Sequence, residues 1–262
     1  MNTAEIEVKN LYKSFIPAIS LGDIAGMKFH NRVPQPALTD ISFCLSKGNL
    51  LAVLGENGAG KTTLLNIISS LILPDSGTVR LNGRDISSAD TGLKSKLGFM
   101  FSEERSFYWR LTGRQNLEFF AALYGLNKTQ AAQRIDKLMD KFKITYAEKR
   151  FSDFSTGMKK IFALLRALIH EPSILLLDEP AKSLDLEKKA LLVEIITRLK
   201  QEGKTIIIST HDFSFAETAA DKFIFLHNGY LKAEGSLSRL RTLVSSPQSG
   251  LEELYRKAVY ND

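Results

Sequence analysis

Cysteine is almost missing from the chain: Cys44 stands alone. One thiol excludes an intramolecular disulfide and any metal site built on several cysteines. Inside the apolar run 41–45 it is expected to be a small buried hydrophobe. Long apolar runs are missing as well. Residues 50–54, 161–169 and 174–177 are the longest, well short of the ~18 residues that a membrane-spanning helix needs. The opening residues, MNTAEIEVKN, mix Glu and Lys without an apolar core, so no secretory signal is read there. There is little excess of either charge: 35 Lys and Arg against 29 Asp and Glu leaves +6. These charges are spread along the chain, which permits an acidic partner without demanding one. No internal repeat and no low-complexity tract is present.

What remains is ordinary globular material. The chain has 262 residues, 44% of them hydrophobic, enough for a core in one domain with a smaller subdomain. Residues 5–8 read as a strand and 37–45 alternate before a turn at Lys47-Gly48-Asn49. Residues 50–54 form a short, fully apolar strand. Helical spacing follows over 62–73, broken by Pro74-Asp75-Ser76-Gly77. Residues 78–81 and Asn82-Gly83 suggest a strand and turn. The segment 106–146 is mostly helical in pattern. Beyond it come helix 158–170, strand 174–177, helix 186–201, strand 205–208, helix 213–220 and strand 222–226. Strands alternating with helices imply a parallel α/β sheet covered on both faces. Two segments break the alternation: 16–36, with three prolines, and the tail 236–262, which carries a helical stretch over 250–259.

The chemistry concentrates in three places. Gly55-Glu56-Asn57-Gly58-Ala59-Gly60-Lys61-Thr62-Thr63 follows an apolar strand and opens a helix, which fits G-x-x-x-x-G-K-[ST] in its required setting. Glycines let the backbone wrap phosphate oxygens, and the amides at the helix start attract anions. Lys61 would reach the β- and γ-phosphates of ATP, and the Thr62 hydroxyl would ligate Mg²⁺. The run Ile174-Leu175-Leu176-Leu177-Asp178-Glu179-Pro180 places Asp178 at the carboxyl end of a buried strand, where open α/β sheets bind ligands. Asp178 suits Mg²⁺, and Glu179 suits a general base for attack on the γ-phosphate. The third place is Phe154-Ser155-Thr156-Gly157-Met158, a serine and free amides ahead of a helix.

Taken in order, the phosphate loop, this short motif, ILLLDEP, Ser183-Leu184-Asp185 and His211 after an apolar strand resemble the ABC transporter ATPases. The resemblance covers nearly the whole chain. It implies a P-loop NTPase with a RecA-like parallel core, an N-terminal antiparallel β subdomain and a helical subdomain over about 103–158. The ATPase domain would span 1–235, with the tail beyond it. It also implies a head-to-tail homodimer with two ATP molecules at the interface. Ser155 and Gly157 would bind the γ-phosphate held by the other subunit. Asp185 would lie in the loop that crosses the interface, and His211 would touch the γ-phosphate and order the attacking water. Phe15 matches the adenine-stacking aromatic, with Tyr12 as its competitor.

Several positions depart from the family pattern. Ser102 stands where a Gln usually touches Mg²⁺ or the attacking water, and Glu103 or Glu104 are candidates to replace it. The motif reads FSTGM, not LSGGQ, and this variant resembles exporter ATPases. Ser183 replaces a glycine. Phe107-Tyr108-Trp109 falls where the family receives a permease helix, and exposed aromatics with Arg suit such an interface; the core of the helical subdomain fits any one of the three equally, and Tyr108 and Trp109 are the docking candidates. Residues 16–36, with Lys28, Phe29, His30 and Arg32, resemble a loop extended in polysaccharide and lipid-linked glycan exporters; a permissive surface loop fits equally. His30, His170 and His227 read as surface or core residues.

The resulting expectation is a peripheral ATPase subunit at the cytoplasmic face of the membrane, energising permease subunits of an exporter. Polysaccharide or lipid-linked glycan is one cargo; multidrug or ion export is the alternative. A soluble ABC ATPase acting on nucleic acid, ribosomes or cofactor assembly fits less well, because no long insertion or second ATPase domain is present. No nucleic-acid partner is expected. A non-catalytic regulator disagrees with the presence of both Glu179 and His211.

Overall fold

Three aliphatic strands make the centre of the molecule. The computed structural model describes residues 4–17, 33–87, 91–102, 106–244 and 248–260. In it β3 (Leu50–Leu54), β7 (Ile174–Asp178) and β8 (Thr205–Thr210) are buried at every position. Strands with no solvent face must be covered on both sides, which is the condition of a parallel sheet. The sheet has six strands in the order β10-β9-β3-β8-β7-β6. Here β6 is Leu97–Met100, β9 is Lys222–His227 and β10 is Tyr230–Gly235. All its pairings are parallel except β9 with β10.

The two-residue period of a strand divides the core. Leu50, Ala52 and Leu54 face one hydrophobic cluster; Leu51 and Val53 face the other. The second cluster is closed by α1 (Lys61–Ile68) and an antiparallel sheet of order β2-β1-β4-β5. That sheet comprises β1 (Ala4–Phe15), β2 (Gln35–Ser46), β4 (Ser76–Leu81) and β5 (Arg84–Asp85). Asn82 and Gly83 both have positive φ, 50° and 77°, which suits the tight turn of a two-residue hairpin. A short helix α2 (Thr91–Lys94) precedes β6.

The first cluster holds the remaining helices. Helices α3 (Gly113–Leu123) and α4 (Lys128–Lys141) each start on a full capping box, Thr112 with Gln115 and Asn127 with Gln130. Arg114 ties them by bonding Asp136 and Glu148. Helix α5 (Thr156–Leu168) is buried over most of its length. Helices α6 (Leu186–Gln201) and α7 (Phe213–Ala219) cover the sheet. From the tail, α8 (Leu237–Leu243) and α9 (Leu251–Tyr260) add Leu240, Leu251, Leu254 and Tyr255 to the same cluster.

The α/β P-loop architecture expected from the sequence is the one observed, with local corrections. Cys44 is exposed, not a buried hydrophobe. The run 41–45 is a strand in which Ile41, Phe43 and Leu45 face inward, so period two turns residue 44 outward. Helix α1 stops at Ile68 instead of reaching 73. Ser70 takes a positive φ of 59°, and Leu71 and Leu73 stand exposed. Strand β1 runs well past residue 8 because β2 and β4 both pair with it. Residues 106–112 are not helical. Phe107 is core, stacked on Phe151 with centroids 4.4 Å apart, whereas Tyr108 and Trp109 are exposed. Most of the 16–36 segment, including Lys28, Phe29, His30 and Arg32, lies outside the described residues, as do Glu103 and Glu104.

Candidate nucleotide site

The parallel register decides which residues meet. Leu54 of β3 lies beside Thr210 of β8, and Asp178 of β7 beside Ser209. The next residues along all three strands therefore emerge at one edge of the sheet. These are the phosphate loop, Glu179 and His211.

The loop closes on itself and on its neighbours. Gly60 has φ of 104°, and a Cβ there would come within 2.5 Å of the Ala37 carbonyl oxygen. Only glycine fits that combination. The Gly229 amide donates to Ala59 O at 3.1 Å, so the β9–β10 turn holds the loop from outside. Lys61 follows, its side chain 6% exposed. Its Nζ donates to Gly55 O at 2.7 Å and to Glu56 O at 3.1 Å. It also faces Glu179 Oε1 at 3.4 Å. A buried ammonium needs partners of this kind, and all three are groups that an anion entering the loop would compete with.

Asp178 is buried. Thr62 Oγ1 lies 3.1 Å from both its carboxylate oxygens, and Ser209 Oγ donates to Oδ1 at 2.5 Å. Glu179 has a positive φ of 47°, uncommon outside glycine. Its amide holds that conformation by donating to Ser209 O at 3.1 Å and Ser209 Oγ at 3.0 Å. The Glu179 carboxylate meets His211 Nδ1 at 3.0 and 3.1 Å. Glu179 thus stands between a buried lysine and a half-exposed histidine.

A second group gathers elsewhere in the chain. Ser155 caps α5, accepting from the Met158 amide at 3.3 Å. Asp185 caps α6, accepting from the Lys188 amide at 2.9 Å, and it ion-pairs with Lys188 Nζ. That pair, with the capping bond, holds the Asp185 carboxyl below its usual range. The Lys188 side chain lies over Gly157, where a Cβ would meet its Cδ at 2.4 Å. Ser155, Gly157 and Asp185 are therefore one group, with Gly157 buried beneath Lys188. Ser155 and Asp185 both lie exposed, with their bonds made inside this group.

Among the remaining predicted residues, Ser102 O accepts from the buried Lys160 Nζ at 2.7 Å. Phe15, 41% exposed, ends β1 with Lys13 Nζ 5.4 Å from its ring centre. Tyr12 is similarly exposed. His170 is a packing residue: it stacks on Tyr124 at 3.9 Å, and Nε2 meets Leu97 O at 2.9 Å. Sequence reasoning passed over Ser209 and Lys188. Ser209 gave a faint signal as the polar residue ending an aliphatic strand; Lys188 gave none.

A family model described as ABC transporter matches residues 38–182. The chain belongs to the ABC transporter ATP-binding family. It is 38% identical over 205 residues to the ABC transporter ATP-binding protein NatA of Bacillus subtilis, covering 78% of this chain and 83% of that one. It is 31% identical over 206 residues to the doxorubicin resistance ATP-binding protein DrrA of Mycobacterium tuberculosis, covering 78% and 62% respectively. A solved ATP-binding subunit of an ABC transporter superposes with a TM-score of 0.79 at 28% identity, covering 98% of this chain and 99% of that one. This chain is accordingly an ATP-binding, ATP-hydrolysing subunit of the ABC type. Among the described residues, no helix is long and apolar enough to cross a membrane.

Proposed function

We propose that two copies of this chain share two ATP sites and drive an exporter through membrane-embedded permease subunits at the cytoplasmic face of the membrane. The observation that carries this reading is the division of the functional residues into two surfaces. Lys61, Asp178, Glu179 and His211 form one; exposed Ser155 and Asp185, with Gly157 buried beneath Lys188, form the other. In a head-to-tail pair the second would complete the first across the interface.

In this reading the amides of the loop and Lys61 hold the β- and γ-phosphates, and Phe15 stacks on adenine. The Thr62 hydroxyl and the Asp178 carboxylate are adjacent hard oxygen donors. They fit Mg²⁺, which keeps most of its shell as water and phosphate oxygen. Bound there, Mg²⁺ supplies charge neutralisation for the phosphates. Glu179 receives a proton from the attacking water. His211, bonded to Glu179, keeps that carboxylate turned toward the γ-phosphate position. Lys61 stabilises the charge that builds on the transferring group, and little covalent chemistry is left for the protein.

The coupling surface is assigned to Tyr108 and Trp109, half-exposed on the helical subdomain. Lys159 Nζ lies 4.3 Å from the Trp109 ring centre. Close by, Phe101, Phe120, Leu123, Tyr124 and Arg166 line an aromatic cleft of about 290 Å³ suited to a permease helix. For cargo, a relative named for doxorubicin resistance favours drug export. The glycan reading relied on the 16–36 segment. Alanine at both Tyr108 and Trp109 should weaken assembly with the permease and reduce transport-coupled hydrolysis, while basal ATPase persists. Unchanged assembly and coupling would remove this assignment.

A further inference from the structure

The C-terminal helix reaches the phosphate loop. Its inner face is fixed to the core, with Leu251, Leu254 and Tyr255 buried. The Leu251 amide donates to the Glu217 carboxylate at 3.1 Å, and Tyr255 Oη donates to Leu226 O at 3.3 Å. Anchored in this way, α9 delivers Tyr260 to a defined place. Its Oη donates to Glu56 Oε1 at 2.7 Å, and its ring stands edge-on to His227 with centroids 5.5 Å apart.

Glu56 is the second residue of the phosphate loop, and its carbonyl is one of the Lys61 acceptors. Between loop and helix lies a cleft of about 360 Å³, with Glu56, Asn57, His211, Arg256 and Tyr260 in its walls. The carboxylate of Glu56 is an anion beside a site for anions. Released from Tyr260, it gains freedom to turn toward the entering phosphates, where like charge opposes binding. Held by the phenol, it is engaged by α9 and the start of the loop is tied to that helix. The Tyr260 phenol is pushed above its usual range, first by this hydrogen bond.

We propose that Tyr260 is a positioning residue for the phosphate loop, acting through Glu56, so that α9 sets how tightly the subunit binds ATP. The proposal rests on reading residues 55–63 as the ATP-binding loop.

The test is equilibrium binding of a fluorescent ATP analogue with Mg²⁺ to the full chain, together with KM and kcat for hydrolysis. Losing one hydrogen bond of this kind, Tyr260→Phe should weaken binding about 3- to 10-fold, with KM rising in step and kcat retained. In a Glu56→Ala background the same substitution should have no effect. An unchanged affinity, tighter binding, or an equal loss in both backgrounds would overturn the proposal. So would a lowered melting temperature without nucleotide at unchanged affinity. Lys61→Ala separates this outcome from the underlying reading. If that variant keeps its affinity, the loop assignment itself fails; if it loses affinity while Tyr260→Phe does not, only the role of α9 fails.

Discussion

Replacing Glu179 by glutamine probes the site where its contacts are densest. The carboxylate is buried, 3.4 Å from Lys61 Nζ and 3.0 Å from His211 Nδ1. Glutamine preserves the shape and one oxygen but removes the charge and the capacity to take a proton. At an effective dielectric of about 20, a pair at that separation attracts by roughly 5 kcal/mol before desolvation is counted. Without that attraction, Lys61 leaves its resting partner more readily for a triphosphate, so ATP affinity should hold or rise. Catalysis should move the other way. Losing one preorganised group costs roughly 3–4 kcal/mol of barrier, about a hundred- to a thousand-fold in kcat. Phosphate release under saturating ATP measures turnover, and binding of a fluorescent analogue measures affinity. Turnover near that of the unmodified chain would refute the assignment of Glu179. A loss of affinity as large as the loss of turnover would show that Glu179 holds the loop together instead of acting on water.

Two further outcomes follow from the same coordinates. Lys61→Ala should lose most ATP affinity, read by the same binding assay, because the buried ammonium is the one side-chain cation in the loop. His170 is held below its usual 6.5 mainly by burial, against Tyr124. A depressed histidine binds fewer protons folded than unfolded, so its contribution is full above pH 6.5 and is lost as pH falls through the folded value. The melting temperature should decline over that window, and His170→Phe should flatten the decline.

Much of the site was legible because its chemistry is local in sequence. The phosphate loop needs a strand, glycines and a helix start within a dozen residues, and 174–180 announces a buried strand ending in carboxylates. The aliphatic runs gave β3, β7 and β8 because strands buried on both faces have no polar alternation to obscure them. What stayed hidden depends on register and long-range packing. The contact of Ser209 with Asp178 exists only because β7 and β8 pair at that offset. The placement of Lys188 over Gly157 joins residues 31 positions apart in sequence (188 − 157). Cys44 escapes a reading of composition alone, because the strand's two-residue phase turns it outward; which of Phe107, Tyr108 and Trp109 belongs to the core is likewise decided by packing, which buries Phe107 alone. The Tyr260–Glu56 bond spans 204 residues, beyond the reach of any local pattern.

The central claim is that each ATP site takes the phosphate loop from one chain and Ser155 with Gly157 from another. Mixing two inactive variants tests it directly. Lys61→Ala lacks the loop but keeps the Ser155 surface; Ser155→Arg has the reverse defect. A mixed dimer retains one site with both halves intact. ATPase activity measured after the two variants are co-assembled in equal amounts should rise well above that of either variant alone. Activity that stays at the level of the separate variants, in a sample shown to contain mixed dimers, would contradict a shared site.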